Sequence, residues 1–315
     1  MRPALAASVL LLCGTVVQAQ PAPGFALLQR MQQAAQQLNY VGLFTYQHGS
    51  HLVASQIVHQ AAGAGGSVRE RIELLDGPKQ REFLREGKTV LSLLPEVPLV
   101  LVEQRETEHF PGLITGDPRR LTDWYGVQML PDPGRVAGRA CTQAELQPRD
   151  AWRWGYRLCV DDEHGLLLKV QTLDAEGDIL EQAAFSELAI EAQVDPQLLA
   201  SRHDWHEWRR VQGGHQASLA AAGWQVQAPP GFAPVSEVVR KIKGRAKVHQ
   251  MVLTDGLSAI SVFIEPYDPT LGVAESVGGY GATSIYRGRK NDSWVTVLGE
   301  VPPQTVRAVA DSLDP

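Results

Sequence analysis

The sequence predicts an α+β fold in two units. An amphipathic helix near the N-terminus gives way after Asn39 to a long series of period-two runs separated by Gly- and Pro-rich turns. A polar stretch at residues 203–222 then divides that series from a smaller set of strands closed by a C-terminal helix. With 315 residues, 44% of them hydrophobic and 20% charged, the chain is long enough for one or two domains with substantial cores.

Each element follows from its local pattern. Residues 1–19 carry Arg2, an apolar stretch from Ala4 to Val17, and small residues at Val17 and Ala19 where signal peptidase reads. That is the pattern of a cleaved secretory signal, and it predicts that the mature protein is exported. Leu12 precedes Cys13 where lipidation requires a small residue, and no later stretch approaches the ~20 apolar residues of a spanning helix. In the mature chain Phe25, Leu28, Met31, Ala35 and Leu38 recur at helical spacing. Tyr40-Val41-Gly42-Leu43-Phe44-Thr45-Tyr46 then alternates, with its aromatics on one face, and strand-like runs follow at 52–59, 67–75, 80–86 and 88–94. Asp117-Pro118 opens a short helix over 117–126. Strands resume as pairs, 135–146 with 152–160 and 165–173 with 178–190, so residues 20–202 read as an antiparallel meander. Residues 223–315 read as a small α+β unit. It has a strand at 223–228, hairpins 247–254 with 257–264 and 281–287 with 293–299, and a final helix carrying Val306, Val309, Ala310 and Leu313.

Beyond the signal segment the chain keeps two cysteines, Cys141 and Cys159, equidistant from residue 150 as opposed positions of a hairpin would be. In an oxidising compartment a cross-strand disulfide is expected, and two buried thiols are the alternative. Charge is distributed unevenly. The mature chain carries 28 basic and 35 acidic residues, a balance that excludes bulk binding of nucleic-acid phosphates. Its whole excess of −7 lies in 20–220, while 221–315 is neutral with nine of each sign. Within that neutral unit Arg240, Lys241, Lys243, Arg245 and Lys247 fall in eight residues. They make either a patch for anionic groups or a solvated edge strand guarded by its charges.

No sequence signature of an enzyme emerges. There is no Gly-x-Ser-x-Gly elbow, no phosphate loop and no His-Glu-x-x-His. His203 and His206 lack a third metal ligand at a recognisable spacing, and Asp161-Asp162-Glu163 reads as a hairpin turn. The expectation is a protein with no catalytic residues, no metal and no cofactor.

Several segments, taken in order, resemble the RseB/MucB family of periplasmic regulators of the envelope-stress sigma factor. They are Leu38-Asn39-Tyr40-x-Gly42-x-Phe44-x-Tyr46, Ser55-x-Ile57-x-His59, the run Glu70 to Pro78 with Arg81-Glu82, Pro229-Pro230-Gly231-Phe232, Leu253 to Ser258, and Val297 to Thr305. Cys159 departs from the pattern, standing where the family has an aromatic, which suggests a disulfide peculiar to this protein or its near relatives. The resemblance implies a large lobe built as a curved antiparallel half-barrel with helices, similar to periplasmic lipoprotein carriers, and a small C-terminal α+β lobe. It implies binding of the periplasmic domain of a membrane-anchored anti-sigma factor, protection of that domain from regulated proteolysis, and release by lipopolysaccharide or acyl chains. Association beyond the monomer is a further implication that no element specifies. On that reading 203–222 is the hinge, and Arg240 to Lys247 with Trp205 and Trp208 meet the partner or an anionic ligand. Tyr40, Phe44 and Tyr46 then face the lipid. The aromatics serve equally well as core, and the tryptophans as packing between lobes. A soluble lipid or lipoprotein carrier is the alternative function.

Overall fold

The protein is described here by a computed structural model covering residues 23–63, 66–77, 79–104, 110–191, 193–241, 247–271 and 275–314. The expected signal segment, Lys243 and Arg245 lie outside the described residues, as does the side chain of Lys241.

Helix α1 (Pro23–Gln37) begins with a proline at its first turn and turns Leu27, Leu28, Met31, Ala34 and Ala35 into the core. The chain then runs through a meander of β1 (Asn39–His48), β2 (His51–Gln60), β3 (Arg69–Leu74), β4 (Glu82–Glu86), β5 (Thr89–Leu94) and β6 (Leu99–Gln104). The helix expected over 117–126 is shorter than the sequence suggested: one turn of 3₁₀ helix at Pro118–Arg120 leads into α2 (Leu121–Trp124). Tyr125 is already extended and starts β7 (Tyr125–Met129), which pairs with a later strand and so takes residues that local pattern assigns to helix. There follow β8 (Gly134–Val136), β9 (Arg139–Pro148), β10 (Gly155–Asp161), β11 (Leu167–Leu173) and β12 (Ile179–Glu191). Strand β12 returns to pair with β1, closing the meander into one thirteen-stranded open sheet. A register shift at Leu43/Phe44, where β1 meets β12, bends the sheet. Its core gathers α1, α2 and the inward residues of β1 and β9 to β12.

The stretch read from the sequence as a linker carries β-structure. Strand β13 (Arg209–Gln212) pairs in parallel with β6 on the large sheet, and after two glycines β14 (His215–Gln216) pairs with the small one. The small lobe contains β15 (Ala233–Lys241), β16 (Lys247–Thr254), β17 (Ala259–Pro266), β18 (Ser276–Tyr280), β19 (Thr283–Lys290) and β20 (Ser293–Gly299), followed by α3 (Pro303–Ser312). These strands form a seven-stranded sheet in the order β14-β15-β16-β17-β20-β19-β18. In place of the expected strand at 223–228, only Gln225 bridges to Asp314. One face of the small sheet, with Leu253, Ile260, Val262, Val295 and Val297, buries α3 through Val306, Val309 and Ala310. The α+β, two-lobed architecture expected from the sequence is the one observed.

Cys141 and Cys159 are joined, with Cα atoms 5.4 Å apart. They are not directly opposed as the sequence suggested: Cys141 stands across from Asp161 and Cys159 across from Gln143. The cause is the loop after β9, where Asp150 accepts hydrogen bonds from the Trp152 amide and the Arg153 guanidinium. It sets the hairpin centre one residue later and so moves the pairing by two. Diagonal neighbours share a face, and the bridge still reaches.

Candidate functional site

The two lobes meet along a polar clasp. Arg153 enters from the loop between β9 and β10 and Asp255 from the turn after β16; both side chains are 0% exposed, and Arg153 Nη1 donates to Asp255 Oδ2 at 2.7 Å. Tyr125 Oη donates to the same oxygen at 3.0 Å, and Arg153 Nη2 also donates to the Pro230 carbonyl. The guanidinium lies over the rings of Trp124, Tyr125 and Phe232 at 5.0–5.6 Å from their centroids. Gly231, with φ +83°, completes the seat: a Cβ there would stand 2.4 Å from the Trp124 ring, so the Pro229-Pro230-Gly231 turn admits no side chain. Neighbouring bonds extend the contact. Tyr156 Oη and Ser258 Oγ lie 2.8 Å apart, Trp154 Nε1 donates to the Ala282 carbonyl, and Thr305 Oγ1 to that of Trp152.

Beside the clasp a cavity of about 470 Å³ lies between the lobes. Phe44, Phe110, Leu113, Tyr156 and Val170 give it an apolar wall from the large lobe, and Leu257 and Leu298 one from the small lobe. Its polar end holds two carboxylates, one from each lobe. Glu181 accepts from Tyr46 Oη at 2.6 Å and from the Ala282 amide at 3.2 Å. Glu300 lines the cavity with its residue still exposed, and partial loss of hydration there, then the charge of Glu181, pushes its carboxyl up to about 7. Enclosure and the bond to Glu181 likewise hold the Tyr46 phenol well above its ordinary range. A second cleft, of about 870 Å³, opens farther along between β6, β13 and the small sheet.

The residues singled out from the sequence fall in different places. Phe44 and Tyr46 line the cavity. Tyr40 does not: it is 1% exposed, stacked on His59 and set edge-on to Phe185 in the core, because its end of β1 lies against α1 and β2. Arg240 reaches from the small lobe to Glu103 of the large one at 3.5 Å, whereas Lys247 is exposed. Trp205 stacks on His206 and lies under Arg210, and Trp208 meets His203. These contacts join the segment before β13 to itself and to β13, and do not bridge the lobes. His203 and His206 share no ligand set, and among the described residues no three His, Cys, Asp or Glu side chains are grouped to hold a metal. No helix among them is long and apolar enough to cross a membrane. Sequence reasoning missed Arg153, Asp255, Glu181 and Glu300. The one local signal was an arginine set between Trp152 and Trp154.

Two lobes clasped over a partly apolar cavity with acids at one end, and no catalytic constellation among the described residues, give the architecture of a two-lobed binding protein. The chain belongs to the MucB/RseB family: its N-terminal domain model matches residues 24–203 and its C-terminal domain model residues 218–314. The Pseudomonas aeruginosa protein named sigma factor AlgU regulatory protein MucB is 30% identical over 98% of this chain and 97% of its own. The Escherichia coli K12 sigma-E factor regulatory protein RseB is 25% identical over 96% and 94%. Among solved structures, the Pseudomonas aeruginosa MucA/MucB complex superposes with a TM-score of 0.74 at 27% identity, covering 93% of this chain and 99% of that one. MucB alone superposes with a TM-score of 0.69 at 28% identity, covering 92% and 97%.

Proposed function

We propose that the protein is a periplasmic negative regulator of an envelope-stress sigma factor, acting by binding and not by catalysis. It holds the periplasmic domain of a membrane-anchored anti-sigma factor and keeps it from the protease that would start its degradation. The observation that carries this reading is the likeness, through both lobes, to a MucB chain solved with MucA. Lipopolysaccharide or an acyl chain entering the cavity between the lobes releases the partner. Such release requires the lipid to prefer one lobe arrangement and the partner the other, and walls drawn from both lobes supply that dependence. Lys247 and its neighbours in the basic run offer contacts for lipid phosphates or for partner carboxylates.

The apolar cavity wall also suits a lipid or lipoprotein carrier, and one experiment separates the two. The cognate periplasmic domain is mixed with the initiating protease, with and without this protein and lipopolysaccharide. A regulator slows cleavage and lipopolysaccharide restores it. Cleavage indifferent to the protein sinks the regulatory reading, and lipid binding without protection leaves the carrier.

A further inference from the structure

The cavity of about 470 Å³ lies within the size range of pockets that take a small molecule, and its charge is one-sided. Among the described residues that line it, Glu181 and Glu300 are the only charged side chains, and no Lys, Arg or His joins them. Register gathers the two at one end. Thr172 of β11 stands across from Glu181, and Ser284, next to Thr283, stands across from Gly299, next to Glu300. The Ala282 amide that Glu181 holds directly precedes Thr283, so the two carboxylates flank the start of β19. The rest of the lining is apolar or neutral.

Neither acid meets a counter-charge. Glu181 is 6% exposed and takes both of its hydrogen bonds, from Tyr46 Oη and the Ala282 amide, on Oε2, which leaves Oε1 without one among the described residues. Glu300 makes no hydrogen bond or ion pair with them, and the charge that bears on it is that of Glu181. Two carboxylates facing one partly dehydrated space repel, and a cation between them removes that repulsion. A phosphate or carboxylate head would bring a third negative charge to a place with no positive group to receive it. An ammonium would find two acceptors of opposite charge.

We propose that the cavity selects its amphiphile by a cationic head, with an alkyl or acyl chain along the apolar wall and an ammonium group between Glu181 Oε1 and Glu300. The inference deepens the regulatory reading above and rests on the part of it that sends a lipid into this cavity. It separates the ligands named there by their chemistry. Lipopolysaccharide lodges chains here only with its phosphates left outside, whereas an amine-bearing lipid places head and chain together. The bound ammonium also links the lobes, since Glu181 comes from the large one and Glu300 from the small one, so its binding favours one lobe arrangement.

The test titrates the full mature chain by calorimetry near pH 7.5 with three probes of one chain length, dodecylamine, dodecanol and dodecanoate, each below its micellar concentration. The amine is expected to bind at least about 10-fold more tightly than the carboxylate, with the alcohol between them. Glu300→Gln is expected to weaken the amine about 3- to 10-fold and to leave the alcohol within about twofold, and Glu300→Lys to reverse the order of amine and carboxylate. Glu176→Gln, in the exposed turn after β11, removes the same charge from the surface and changes none of the three by more than about twofold. Equal binding of amine and carboxylate, or an amine preference that both Glu300 variants keep, overturns the cationic head and leaves the lipid reading intact. Binding of none of the three overturns entry of lipid into the cavity and this inference with it.

Discussion

Arg153 and Asp255 are separated by about a hundred residues of chain, yet they pair across the lobe junction, while Asp150 grips the same guanidinium through two further hydrogen bonds. A buried ion pair gains little over an apolar pair, but breaking one strands a charge. Asp255→Ala leaves Asp150 on the guanidinium but takes the acceptor from Arg153 Nη1 and from the Tyr125 hydroxyl, and is expected to destabilise the protein by about 1–3 kcal/mol, read as a fall in the urea midpoint. A loss under 1 kcal/mol would mean that Asp150 and the Pro230 carbonyl suffice to hold the guanidinium. This site also shows why sequence reading stops where it does. Asp255-Gly256 is legible as a hairpin turn, and Trp152-Arg153-Trp154 as an unusual triplet, because both are local. That the turn's carboxylate receives the triplet's guanidinium depends on how the lobes dock, and no spacing encodes it. Tyr40 failed in the opposite way: alternation put it on the correct face with Phe44 and Tyr46, but which part of that face meets a cavity depends on α1 and β2.

Among the elements, the hairpin of β9 and β10 is braced at both ends, by the Cys141–Cys159 bridge and by the Asp150 loop. The bridge closes 18 residues, which in the chain-entropy account contributes about 3 kcal/mol. Mass spectrometry of non-reduced peptides is expected to find the two cysteines joined, and the double Cys→Ser variant to lose about that much stability. Free thiols in the protein purified without reductant would refute the pairing. Long, clearly periodic elements such as α1, β1, β9 and β10 were readable because burial alone sets their pattern. Strands β13 and β14 were not, since Arg209-Arg210-Val211-Gln212 and His215-Gln216 have no apolar alternation and owe their form to neighbours. Strand β18, Ser276-Val277-Gly278-Gly279-Tyr280, resembles a loop by composition and is a strand only because β19 pairs with it.

For the whole molecule, the two lobes bring Glu181 and Glu300 into one cavity, and the stability of the docked arrangement depends on pH through that meeting. The Glu300 carboxyl titrates at about 7 in the folded protein against an ordinary value of 4.5. Between these values the native state holds more protons than the unfolded chain, so its stability falls as pH rises through that window. Glu300→Gln removes the dependence. Thermal midpoints of wild type and variant should coincide near pH 4.5 and diverge up to pH 7, with the variant higher; parallel curves would show that the carboxylate is solvated like any other. The division into lobes was visible in the sequence as a polar interval and a shift in charge, but their mutual cavity was not, for its lining comes from strands scattered between Phe44 and Glu300.

The passage from one lobe to the other bears on the protein's own survival. Between Gln212, paired with β6, and His215, paired with β15, only Gly213 and Gly214 lie outside a strand. Proteases cut where chain is exposed and free to be drawn into their clefts. Under the shielding role proposed above, the protein must not be severable at its own waist, and here the waist is stitched into a sheet on either side.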